Sequence, residues 1–91
     1  MSDVAYIGYR YRHHIHHAVS MSTDICDRFG KRIKALRLKS KQTQIGLAEK
    51  IGINRNYLSA LENGHHEVCI RNIELLAIGL GVPMDRLFKD L

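Results

Sequence analysis

The sequence predicts an all-α fold: one five-helix domain over residues 23–91, preceded by a His-rich tail over residues 1–22. Three observations carry this. Apolar residues recur three and four apart between Cys26 and Leu80, the period of one helix face. Residues that start or stop helices (Thr43, Gly52, Asn54, Gly81 and Pro83) stand at the joints between those runs. A chain of 91 residues with 45% apolar content allows one modest core and no second domain.

The first 23 residues differ from the rest. They hold Tyr6, Tyr9, Tyr11, Arg10, Arg12 and the run His13-His14-Ile15-His16-His17, with no clear helical or strand period. A loosely held tail is the expectation, and Met21 is an alternative natural initiator. Four imidazoles this close suit zinc, nickel or copper, but a flexible run lacks the fixed geometry of a true site, and no metal site is assigned. Arg10 and Arg12 among tyrosines also fit an arm that touches phosphates or a minor groove.

The first helix is expected from Thr23 or Asp24 to Leu38 or Lys39. Cys26, Phe29, Ile33 and Leu36 share one face, and Asp24 and Asp27 sit at the positive end of the helix dipole. From Arg28 to Lys41 the chain has seven basic residues and no acidic one: Arg28, Lys31, Arg32, Lys34, Arg37, Lys39 and Lys41. Without acidic partners, part of this run is expected to meet phosphates.

Two short helices with a tight turn follow. Thr43 caps the first, Leu47, Ala48 and Ile51 form its apolar face, and Gly52 supplies the left-handed residue that ends it. Ile53 plugs the turn. Asn54 caps the second helix, which buries Leu58 and Leu61 and stops at Asn63-Gly64. Its exposed side carries Arg55, Asn56, Ser59 and Ala60. Arg holds guanine, and Asn holds adenine, through paired hydrogen bonds in the major groove.

The fourth helix is expected over about Arg71–Leu80, burying Ile73, Leu76, Ala77 and Leu80. Cys69 is a poor cap, which shifts the expected start to Arg71 or Asn72. Gly81 ends this helix and Val82 plugs the core. The fifth opens with Pro83 at its first position and contains Met84, Leu87 and Phe88.

The formal charge of +5 favours an anionic partner. No apolar run approaches membrane-spanning length, and no secretory signal is visible at the N-terminus. Cys26 and Cys69 are too few for a disulfide framework, so a cytoplasmic protein is expected. Adjacent His65 and His66 with Glu67 and Cys69 do not form a spaced ligand set. No acid–base pair, phosphate-binding glycine motif or nucleophile constellation marks an enzyme. No cofactor is expected.

The stretch from Gln44 to Gly64 resembles the helix-turn-helix of the Cro/phage-repressor-like (XRE) family. Gln44, Leu47-Ala48, Gly52, Ile53, Asn54, Leu58-Ser59, Glu62 and Gly64 all fall in that pattern's register. The likeness runs from about Phe29 to Leu87 or Phe88 and implies a five-helix lambda-repressor-like domain. It further implies base reading by Arg55, Asn56, Ser59 and Ala60, and phosphate contact by Gln44, Tyr57, His65, His66 and Lys41. The family pairs an Arg at position 37 with the Glu at position 62, and it often has glycine where Lys41 stands. The implied activity is sequence-specific double-stranded DNA binding to an inverted-repeat operator, as a homodimer through the helix 4/5 region, to regulate transcription. The short length and Arg71-Asn72-Ile73-Glu74 look like restriction–modification controller proteins. A toxin-neutralising antitoxin with autoregulatory DNA binding is the other alternative, and a toxin would then be a partner.

Overall fold

The computed structural model describes residues 24–91, and the expectations for the tail lie outside the described residues. Four α-helices and one 3-10 turn follow in order: α1 (Ile25–Lys39), α2 (Gln44–Ile51), α3 (Arg55–Glu62), α4 (Ile70–Leu80) and η1 (Met84–Phe88). The caps sit where residue chemistry places them. Asp24 accepts from the Cys26 amide, Thr43 from the Gly46 amide, and Asn54 from the amides of Asn56 and Tyr57. Gly52 and Gly81 end α2 and α4 in the left-handed conformation (φ 75° and 70°).

The expected fifth α-helix is a five-residue 3-10 turn. Pro83 at its start gives it no side-chain cap. Tertiary contacts hold the turn instead. Leu87 is fully buried, and the Phe88 ring lies 5.3 Å from the Phe29 ring, centroid to centroid. Pro83 stands at the cap, in extended conformation, and not inside the turn as expected. The start of α4 also differs: it begins at Ile70, directly after Cys69, whose side chain makes no capping bond. Burial of Leu76, Ala77 and Leu80 sets this start more strongly than the missing cap.

One core joins all five elements. Phe29, Ile33 and Leu36 of α1 meet Leu47 and Ala48 of α2, Leu58 and Leu61 of α3, and Leu76, Ala77 and Leu80 of α4, with Leu87 from the turn. Full burial of a Leu or Ile side chain contributes about 1.5–3 kcal/mol. Polar ties between distant segments orient the elements. Arg32 donates from Nε and Nη2 to the Arg86 carbonyl (3.0 and 2.9 Å), fixing the turn to α1. The Gly79 carbonyl accepts from Gln42 Nε2 (3.0 Å) and Lys50 Nζ (3.1 Å), which joins α2 and its leading loop to α4.

Two backbone positions decide how closely the helices meet. At Gly30 a Cβ would stand 2.7 Å from the Glu62 carbonyl oxygen, so α3 approaches α1 at a contact only glycine permits. At Lys41 the chain turns with φ 61°, the left-handed conformation that favours glycine. Gly46 has no such role: it is exposed, and a Cβ there would approach only the Thr43 hydroxyl.

Gly30→Ala is expected to destabilise the domain by about 1–3 kcal/mol through overpacking at the crossing. Lys41→Gly is expected to stabilise it by up to about 1 kcal/mol by relieving the left-handed lysine. Chemical denaturation midpoints at constant m-value check both.

Candidate nucleic-acid interface

The solvent face of α3 is built by what lies behind it. Leu58 and Leu61 are buried, and so is Glu62, whose side chain is 2% exposed. Arg55 and Asn56 occupy the first turn and are exposed, while Ser59 and Ala60 follow a turn later, half-buried. Arg55 and Asn56 thus present their side chains to solvent, and Ser59 and Ala60 do so in part. Arg55 Nη1 donates to Asn56 Oδ1 (3.3 Å), a long contact that groups the two side chains at the tip of the helix.

The Arg37–Glu62 pair forms as the resemblance implied. Arg37 Nε donates to Oε2 (2.7 Å) and Nη2 to Oε1 (2.9 Å), a two-bond fork joining α1 to the end of α3. Arg37 Nη1 also donates to the Gln42 carbonyl (2.9 Å). Its hydrogen bonds to Glu62 raise the Arg37 pKa above its ordinary value, burial opposes this, and the carboxylate charge adds to the rise. A raised folded-state pKa means that this stabilisation is complete below the unfolded-state value and is lost only above the folded one. The guanidinium therefore stays charged across the neutral range.

The residues grouped as phosphate contacts divide. Gln44 Nε2 donates to Glu62 Oε1 (3.0 Å), so its side chain braces the last residue of α3. Tyr57 is half-buried: its hydroxyl accepts from Asn72 Nδ2 (3.2 Å) and its ring lies 5.4 Å from the His66 ring. His65, His66 and Lys41 are exposed. Of the basic run, Arg37 is buried and Arg32 is anchored on a carbonyl, whereas Lys31, Lys34, Lys39 and Lys41 face solvent.

Gln42, Lys50, Arg32 and Asn72 were not singled out as helix-joining residues from the sequence. Their partners lie 15 to 54 residues away, and no local spacing signals such a bond. Among the described residues no group of three or more His, Cys, Asp or Glu side chains could hold a metal ion. No helix among them is long and apolar enough to cross a membrane.

Comparison with known proteins gives consistent likenesses. A family model described as helix-turn-helix matches residues 33–87. Control protein C.MunI of a Mycoplasma species is 39% identical over 69 residues, which cover 75% of this chain and 93% of that protein. The crystal structure of the restriction–modification controller protein C.AhdI from Aeromonas hydrophila is similar with a TM-score of 0.68 at 33% identity, covering 69% of this chain and 96% of that one. C.Esp1396I, a restriction–modification controller solved as a tetramer with its natural 35 base-pair operator, is similar with a TM-score of 0.68 at 29% identity. That match covers 75% of this chain and 90% of that one.

Glu62→Ala is expected to destabilise the domain by about 3–5 kcal/mol, because it leaves a buried guanidinium without its partner. The double variant R37L/E62L is expected to recover most of that loss, since apolar residues of similar volume often replace a buried pair at little cost. Thermal and urea denaturation of the two variants beside the parent check this.

Proposed function

The chain belongs to the helix-turn-helix family, and on that premise we propose that it is a sequence-specific double-stranded DNA-binding regulator of transcription, of the restriction–modification controller type. The observation that carries this is the first turn of α3. Arg55 and Asn56 stand exposed at the start of a helix whose last residue is tied to α1 by the Arg37–Glu62 fork. A reading helix must offer base-pairing side chains and must not rock, and this one meets both conditions.

In this reading Arg55 and Asn56 supply most of the base selectivity, with Ser59 and Ala60 contacting the next base pairs. Gln44, Tyr57, Lys41, His65 and His66 surround them as phosphate contacts. Gln44 would keep its hold on Glu62 through one end of its amide while its carbonyl end or backbone faces the strand. The overall charge of +5 adds salt-dependent affinity. A DNA target places the protein in the cytoplasm with the genome.

The unit on DNA is a homodimer through the α4 and η1 region. Ile70, Ile78 and Met84 are 77%, 65% and 45% exposed, more apolar surface than one small domain needs to leave in water. A two-fold pair would set its α3 helices in successive major grooves, roughly 34–36 Å apart. The named relatives are controllers, which supports this reading over toxin neutralisation.

Selection from fragmented genomic DNA at physiological salt is expected to enrich one inverted-repeat motif. R55A/N56A is expected to lose roughly 30-fold or more in affinity for that motif, from about 1 kcal/mol or more per residue, while weak general binding persists. A folded parent that enriches no motif would overturn the proposal.

A further inference from the structure

On the far side of α1 from the reading helix lies a groove of about 530 Å³ between α1, the end of α4 and η1. Arg32, Lys39, Arg86 and Lys89 line it, against one acidic residue, Asp90. Its apolar floor is half-buried Val82 with the edges of the core residues Leu36 and Leu80. On α1 the groove residues and the residues that meet α3, Gly30 and Arg37, are centred roughly 160° apart at about 100° per residue. On α4 the groove uses Leu80, whereas exposed Ile78 lies roughly 160° away by the same count. The groove therefore lies away from the α3 contact and from Ile78, while η1 borders both the groove, through Arg86, and the apolar face, through Met84.

We propose that this groove docks an acidic, leucine-bearing peptide segment of a partner protein. Charge complementarity points to carboxylates: four cations surround the opening. Arg32 is held in place by its two bonds to the Arg86 carbonyl, so its remaining donors are presented without a further ordering cost. The apolar floor calls for a side chain that a nucleic-acid backbone lacks, which favours a peptide over a second duplex. The occupant is not this chain itself. Its 14 basic residues outnumber its nine acidic ones, and its net charge is +5. The inference stands apart from the DNA reading and uses none of the residues assigned to it.

The test titrates the full chain with a fluorescein-labelled peptide of alternating Glu and Leu at physiological salt, read by anisotropy. A Gln–Leu peptide and a duplex of random sequence serve as comparators. Saturable binding of the Glu–Leu peptide is expected, at least about tenfold weaker for R86E/K89E, in which two attractions become repulsions. If that variant does not fold, as judged by its thermal melt, K39Q/K89Q decides, with a loss in the same direction. Any of four results would overturn the proposal: no binding of the Glu–Leu peptide, equal binding of the Gln–Leu peptide, indifference to the folded groove variants, or a groove variant with an altered oligomeric state by sedimentation. A fifth would do the same by showing a second DNA surface: random duplex retained by R55A/N56A but released by R86E/K89E.

Discussion

The fork between Arg37 and Glu62 is the constraint on which the rest of the molecule depends. Both groups are withdrawn from water, so each needs the other: a lone buried charge would cost several kcal/mol. The consequence is geometric. The last residue of α3 is fixed to the last turn of α1, the Gln42 carbonyl is drawn to the same guanidinium, and Gln44 closes on the same carboxylate. Three segments thus share one polar centre inside an apolar core. Gly30 completes the arrangement, since the fork holds only if the α3 backbone comes this close to α1.

That centre explains the division among the basic residues. A run of seven cations reads as one feature along the sequence, but folding gives its members different duties. Arg37 orients the reading helix, Arg32 fastens the C-terminal turn, and the exposed lysines remain for long-range attraction. Arginine serves at both anchored positions because its planar fork makes two bonds at once. The exposed positions are lysines, which suit weak, salt-sensitive contacts.

The domain presents three surfaces of different character. One is polar and built on α3; one is apolar, around Ile78 and Met84; the third is the cationic groove behind α1. The first and third are separated by the thickness of α1, so a substitution in one need not disturb the other. Asn72 is the exception in kind: it lies on α4 and bonds the Tyr57 hydroxyl on α3, which ties the helix of the apolar face to the helix of the polar one.

By itself the sequence determined the all-α class, the caps at Thr43 and Asn54, the left-handed stops at Gly52 and Gly81, and the exposed tip at Arg55 and Asn56. These depend on neighbours within about one turn, and local residue chemistry decides them. The resemblance added the pairing of Arg37 with Glu62, which no spacing rule yields. Tertiary structure alone decided that the last element is a 3-10 turn, held by the burial of Leu87 and the Phe29–Phe88 contact. It alone started α4 at Ile70 without a side-chain cap. It also brought α3 close to α1 at Gly30, and set Gln42, Lys50 and Arg32 on distant carbonyls. The physical reason is common to all of these. Each depends on groups far apart along the chain, and only the packed core brings them within reach.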